Sequence, residues 1–389
     1  MPEEQEQRAA VAITGGAGLI GSRAVEALVS DHRVFVLDAA DWPQGEPPPG
    51  CELIHVDLTD DGSVAAALEE LRERCGGRLA SLIHLAAYYD FSGSDSPLYS
   101  DLTVEGTRRL LRGLRRDFDV GQFVFSSTLL VMEPVDEEDE RLTEESPTEA
   151  EWPYPESKLE AEAVLRAERG DIPVVVLRIA GAYDEDGHSP PLGQHIKRIH
   201  DKQLESYLFP GDADHGQPYV HLDDVVSCLV KTVERRAALG DFEVFLVAEP
   251  DLMSHDELQD TLGELIHGRE WPTILVPKTV ARTGAWLKEH VLGQEMFIKP
   301  WMVALADDHY PVEIGKARRL LEWEPRHRLR ETLPEMVRRM KEDPRGWFER
   351  NGLVETEEDT EEDIEEAMEA EEERENEEAS SPAASGSRS

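Results

Sequence analysis

Tyr154 and Lys158 stand four residues apart in the run Tyr154-Pro-Glu-Ser-Lys158. On a helix that spacing puts both side chains on one face, about one turn apart, where a phenol and an ammonium can share one proton-transfer site. A phenol with an ordinary pKa near 10 must lose roughly 3 units to act as a base near neutrality, about 4 kcal/mol of differential stabilisation. A nearby ammonium is a direct way to supply it. The spacing alone is common and usually marks a solvated helix face, so its weight comes from position. It lies downstream of a buried-type strand that ends Phe125-Ser126-Ser127-Thr128, whose hydroxyls either cap the strand end or reach a substrate oxygen.

A second constellation lies near the N-terminus. Thr14-Gly15-Gly16-Ala17-Gly18-Leu19-Ile20-Gly21 sits between an apolar run at 11–14 and a helical pattern at 22–30. Glycines there permit a tight turn and close approach of backbone to a pyrophosphate, while a helix N-terminus offers free N–H groups and a positive dipole end. Asp38 ends the next apolar run, 33–38, and its carboxylate can accept from both hydroxyls of a ribose while repelling a 2′-phosphate. The expected cofactor is therefore NAD rather than NADP, with Gly15, Gly18, Leu19, Ile20, Gly21 and Asp38 among its contacts.

These groups need a scaffold that brings strand ends together. Further buried-type strands are expected at 51–56, 81–85, 122–126, 174–179 and 242–247, with helical patterns between most of them. That alternation predicts an α/β fold with a Rossmann-type doubly wound parallel sheet. Beyond Gly181 the rhythm weakens, and helices at 189–201 and 254–268 suggest a smaller, mostly helical C-terminal substrate lobe. The expected division is an acidic extension at 1–10, a cofactor domain at 11–180 and 219–248, a substrate lobe at 181–218 and 249–350, and a disordered acidic tail at 351–389.

Composition excludes several partners. The chain has 389 residues and a net charge of -43, which argues against nucleic acid or an anionic membrane. Val354 to Ser389 holds sixteen of the acidic residues against two arginines, yet the rest of the chain is also strongly acidic. With nine lysines among 40 basic residues, the pattern fits a protein kept soluble in concentrated salt. No apolar run is long enough to span a bilayer and the N-terminus lacks the basic start of a signal peptide, so a cytoplasmic protein without a membrane partner is expected. Cys51, Cys75 and Cys228 are scattered and read as packing residues. His221, Asp223 and Asp224 more readily make local hydrogen bonds and ion pairs than a metal site, and no metal is expected.

The spacing Thr-Gly-x-x-Gly-x-x-Gly resembles the short-chain dehydrogenase/reductase superfamily, in particular its extended, NAD-dependent epimerase/dehydratase branch. Further matches are collinear. Asp57-Leu58 resembles the pair that flanks adenine, and His84-Leu85-Ala86-Ala87 resembles the segment where the fourth strand passes the cofactor. Pro218-Tyr-Val-His-Leu-Asp-Asp224 and Lys316-Ala-Arg-Arg-Leu-Leu-Glu-Trp-Glu-Pro325 resemble later segments of the same branch. The resemblance implies a Ser/Thr, Tyr and Lys set, here Thr128, Tyr154 and Lys158 with Ser127 in reserve, and places Ser126, Leu85, Ala86, Ala87, Tyr154 and Lys158 at the cofactor. It implies a small-molecule substrate with a secondary alcohol, and a homodimer. Its departures concern the substrate. Gly181 stands in Arg178-Ile-Ala-Gly181 where nucleotide-sugar epimerases carry Asn, Gln217 stands where they carry Arg, Pro300 to Ala306 replaces a basic cluster, and Thr103 stands where many relatives have Asn. The rival expectation is a dinucleotide-sensing protein without turnover on the same fold, which would more often have lost the Tyr or the Lys.

Overall fold

The computed structural model describes residues 8–43, 45–90, 94–135, 140–277 and 308–353, together with Val303 and Ala306. Seven strands form its central sheet: β1 (Ala10–Thr14), β2 (Arg33–Asp38), β3 (Cys51–His55), β4 (Ser81–His84), β5 (Phe123–Thr128), β6 (Val174–Ile179) and β7 (Phe242–Val247). Every pairing is parallel, in the order β3-β2-β1-β4-β5-β6-β7. The helices in chain order are α1 (Leu19–Leu28), α2 (Asp61–Cys75), α3 (Glu105–Asp117), α4 (Pro153–Glu168), α5 (Pro190–His200), α6 (Leu222–Arg235), α7 (His255–His267), α8 (Gly315–Leu320), α9 (Leu329–Glu342) and α10 (Pro344–Arg350).

Both faces of the sheet are covered, which is why its strands are runs of Val, Ile, Leu and Phe rather than alternating apolar and polar residues. The two-residue period still sorts them. Val11, Ile13, Val34, Val36 and Val124 face one core with Val25 of α1 and Leu229 of α6. Ala12, Phe35, Leu37, Phe123 and Phe125 face the other with Leu68 of α2, Leu111 of α3 and Leu165 of α4. All three cysteines are free thiols, with Cys228 buried in the first core. Because β1 lies between β2 and β4, successive crossovers leave its C-terminal end toward opposite faces and open a crevice there.

The fifth strand runs two residues further than the sequence suggests. Ser126, Ser127 and Thr128 stay in register with Leu177, Arg178 and Ile179, because β6 offers each of them a partner. The hydroxyls are therefore strand residues with alternating orientation, not a flexible strand end.

Beyond the sheet, Tyr183, Leu192, Ile196, Leu262, Trp271 and Trp347 form a third core among α5, α7, α9 and α10. Helix α7 is set by a capping box between Ser254 and Glu257 and is closed by Gly268 at φ 73°. Residues 354–389, where the acidic tail is expected, and most of 300–306 lie outside the described residues. No helix among the described residues is long and apolar enough to cross a membrane.

Glu249, just past β7, ties the sheet to this third core. Its carboxylate accepts from Tyr183 Oη at 2.6 Å and from the Leu329 amide at 2.8 Å, and the residue is 2 % exposed. Burial lifts its carboxyl to about 7, despite those donated bonds. A folded-state pKa above the unfolded value means that the folded chain holds the proton more tightly, so the stability it contributes is full below about pH 4.3 and is lost as pH rises toward 7. Urea unfolding across that window should show wild-type stability falling with pH more steeply than that of Glu249→Gln; parallel slopes would show that Glu249 titrates normally.

Candidate active site

The turn after β1 is built around atoms that leave no room for side chains. Gly15 has φ +68°, and a Cβ there would stand 2.7 Å from the Ala86 amide nitrogen; a Cβ at Gly21 would collide with the Gly15 carbonyl. Helix α1 begins at Leu19 with Gly18 as its cap and no side-chain capping bond, so its first N–H groups are available to an anion. Asp38 ends β2 beside this turn. One of its oxygens accepts from the Ala17 amide at 2.9 Å and the other from the Ala40 amide at 3.1 Å, which fixes the carboxylate while leaving each oxygen further acceptor capacity.

The remaining cofactor candidates continue the same rim. Asp57 is exposed after β3, where the Thr59 hydroxyl and amide hold its carboxyl below the usual range. Leu58 is buried against Gly106. Leu85 donates its amide to the Thr14 carbonyl at 3.1 Å, which carries Ala86 and Ala87 past the glycine turn. Ile20 packs on the first core and Leu19 is 41 % exposed. Glycine turn, carboxylate, uncapped helix and the Ala86 wall thus line the C-terminal ends of β1, β2 and β4, and the residues present fit a dinucleotide.

The acid/base candidates come together across the crevice. Helix α4 opens with Pro153 in its first turn, which suits a fixed φ and needs no N–H. It carries Tyr154 and Lys158 on the face toward β5. Lys158 is 2 % exposed; its Nζ donates to the Ser126 carbonyl at 2.7 Å and lies 5.0 Å from the Phe125 ring centroid and 5.9 Å from that of Tyr154. Burial pushes the ammonium down to about 7, against the pull of the Glu162 carboxylate. Tyr154 is partly buried; burial raises its phenol, and the nearby Thr128 hydroxyl, which accepts from the Leu130 amide at 3.2 Å, works the other way. The sequence leads one to expect a phenol depressed by the ammonium. Burial dominates both groups, so the phenol rests protonated and the lysine is the one that has shifted toward neutrality.

Strand orientation separates the three hydroxyls. Thr128, whose hydroxyl accepts from the Leu130 amide, lies near Tyr154, whereas Ser127 alternates to the other side and donates to Glu162 Oε1 at 2.5 Å. Thr103, in the wide π-helical turn Tyr99–Val104, accepts from the Tyr88 amide at 3.1 Å. A Cβ at Gly181 would stand 3.2 Å from the Tyr219 ring, and the Gln217 amide is committed to the Asp308 carbonyl at 3.2 Å. His221 and Asp223 meet His327 rather than Asp224, with one ligating atom from each within 4.8 Å. The Asp223 amide donates to His221 Nδ1 at 3.1 Å, so the ring proton lies on Nε2 and neither nitrogen offers a lone pair to a cation. Asp224 accepts from the Arg326 and His327 amides, a local role.

A profile of the NAD dependent epimerase/dehydratase family matches residues 11–248. The chain belongs to that family. Its cofactor is accordingly NAD, and it is an enzyme of the extended short-chain dehydrogenase/reductase type. The human 3 beta-hydroxysteroid dehydrogenase type 7 is 27 % identical over 357 residues, 82 % of this chain and 92 % of that one. Dihydroflavonol 4-reductase of Gerbera hybrida is 25 % identical over 302 residues, 70 % and 76 % of the two chains. Among solved structures, the UDP-glucose 4-epimerase of Thermus thermophilus in complex with NAD superposes with a TM-score of 0.62 at 23 % identity, covering 86 % of this chain and 99 % of that one.

Within this epimerase/dehydratase-family site, sequence reasoning missed the pair that holds Lys158 and Ser127 in place. Glu162 and Arg178 are both buried, joined through Arg178 Nε and Nη2 at 3.2 and 2.8 Å, with Arg178 Nη1 also reaching Met132 Sδ. The available signal was Glu162 four residues after Lys158, hence on the same helix face, and a lone arginine inside the apolar run of β6. Glu162→Ala leaves the buried guanidinium unpaired and should cost about 3–5 kcal/mol in urea unfolding, whereas Ser127→Ala should cost about 1 kcal/mol. Equal small losses would show that the pair is solvated.

Proposed function

We propose that this enzyme interconverts a secondary alcohol and its ketone on an uncharged substrate, with Tyr154 as the acid/base, Thr128 holding the reacting oxygen and Lys158 supplying the local positive charge. The observation that carries the reading is the convergence of Thr128, at the end of β5, with Tyr154 and Lys158 on one face of α4, across the crevice from the glycine turn. Bound NAD would accept or return the hydride. In the reducing direction, the phenol held protonated by burial is ready to give its proton to the developing alkoxide, and the Thr128 hydroxyl orients that oxygen. In the oxidising direction Tyr154 must ionise first, and Lys158 is the cation the chain places one turn away for that purpose. Gly15, Gly18 and Gly21 would admit the pyrophosphate to the start of α1, and Asp38 would take the adenosine ribose.

An uncharged substrate is supported by the substitutions on the other side of the crevice. Gln217 is already bonded and Gly181 supplies no side chain, so neither could grip a diphosphate. A cleft of about 510 Å³ in the C-terminal lobe sets Asp214, Asp251 and Glu257 against Arg141; it includes none of Thr128, Tyr154 or Lys158, but its charge would repel an anionic group reaching that far. Next to the reacting phenol, Trp152 and Tyr89 place rings 5.5 and 4.9 Å from the Tyr154 centroid, a surrounding suited to a flat apolar ring. A hydroxysteroid dehydrogenase and a dihydroflavonol reductase are among the relatives, and ring alcohols of that kind are the first substrates to try.

On such a substrate Tyr154→Phe should lower kcat by on the order of 10² to 10⁴ with calorimetric NAD affinity unchanged, and Thr128→Val by on the order of tenfold. A fully active Tyr154→Phe enzyme would remove the mechanism. Asp38→Ala should narrow the preference for NAD over NADP by on the order of tenfold. If the native enzyme binds NADP more tightly than NAD, the carboxylate does not face the ribose.

A further inference from the structure

One chain of buried polar groups outside the Tyr154 chemistry has a proton order that the geometry settles. His84 ends β4 and is fully buried. Its Nδ1 lies 2.5 Å from Thr14 Oγ1 and its Nε2 lies 2.9 Å from Thr107 Oγ1. The Thr107 hydroxyl donates to the Thr103 carbonyl at 2.6 Å. A carbonyl only accepts, so that hydroxyl has spent its single proton and can only accept from His84. The ring proton is therefore on Nε2. Nδ1 of the neutral ring is bare and takes the Thr14 proton, and the Thr14 oxygen then faces the Ala86 amide at 3.5 Å. The chain of donors runs from β1 through β4 to the turn at 99–104 and α3.

Charge bears on the same ring. Lys158, on α4, is the charged group that acts on it, and both adjoin Phe125: Nζ and the His84 ring centroid lie 5.0 and 5.8 Å from the Phe125 centroid. The other described contacts are Phe123, Thr14 and Thr107, none of them titratable near neutrality. Burial and the charge of Lys158 hold the imidazole down to about 3.

We propose that His84 is a positioning residue for the cofactor slot: a neutral imidazole of fixed tautomer, it pins Thr14, the last residue before the glycine turn, to α3, sets the spacing of Gly15 against Ala86, and places no second positive charge beside Lys158. Protonation would aim an Nδ1–H at the Thr14 hydroxyl, reverse the donor order and bury an unpaired cation. Loss of the ring would release Thr14 and, with it, the Ala86 wall that a Cβ on Gly15 would already strike. The cofactor part of this inference rests on the proposed course of NAD along the glycine turn; the tautomer does not.

The test is nitrogen NMR of the cofactor-free protein labelled at its histidines, with the His84 signals assigned by their loss in His84→Gln. A bare Nδ1 and a protonated Nε2, unchanged from about pH 5 to about pH 9, are expected, whereas titration near the ordinary value of about 6.5 or a proton on Nδ1 would overturn the proposal. Thr107→Val, a milder change, should convert His84 to a mixture of tautomers; an unaltered signal would show that Thr107 does not set it. By calorimetry His84→Leu should weaken NAD binding by on the order of tenfold, and His84→Gln, which keeps one donor for Thr107 and one acceptor for Thr14, should recover it to within about threefold. Wild-type affinity in His84→Leu overturns the positioning role. An active Tyr154→Phe enzyme with the tautomer intact would instead count against the acid/base reading alone.

Discussion

An ammonium enclosed in a parallel sheet's helix layer is unstable as a cation unless something holds it, and much of this site exists to hold Lys158. Burial alone pushes it toward neutrality. Against that stand the Ser126 carbonyl at 2.7 Å, the face of Phe125 and the nearby Glu162 carboxylate. Glu162 is in turn fixed by Arg178 from β6 and by Ser127 from β5. The register of β5 with β6 is thus an electrostatic constraint as well as a packing one: a slip by one residue would exchange Ser127 with Thr128 and separate both from their partners.

The same strand would do the positioning in the proposed proton transfer. Its alternation sends Ser127 into the charge pair and leaves Thr128 on the opposite side, near Tyr154, and the Ser126 carbonyl goes to Lys158. The crevice at the end of β1 adds a second rigid surface, in which glycines are required by atoms of the neighbouring backbone rather than by flexibility. The proposed chemistry and the cofactor rim would therefore be set by one sheet, while Gly181 and Gln217 lie beyond it and would face the substrate in the proposed reading.

The parallel sheet was legible in the sequence because strands buried on both faces are written as continuous apolar runs, and the glycine turn because its context between strand and helix is distinctive; the strand order was not read. That Tyr154 and Lys158 share one helix face was legible from their spacing. What could not be read was the direction of the Tyr154 shift, since its burial depends in part on Tyr89 arriving from a separate segment to join Trp152 against the ring. Nor could the partner of His221: Asp224 is nearer in sequence, but the fold brings His327 from more than a hundred residues away. Long-range partners of this kind, including His84 with Thr14 and Thr107, have no period or spacing to announce them.

The central claim is that Lys158 is a shifted, buried lysine held by the Ser126 carbonyl and Glu162. Carbon NMR of the lysine Cε groups, titrated in the cofactor-free protein and compared with Lys158→Met, measures this directly. The account predicts one resonance that titrates at about 7 and is missing from the variant. If every lysine, Lys158 included, titrates near the ordinary value of about 10.4, the site is not desolvated in the way described and the account is contradicted.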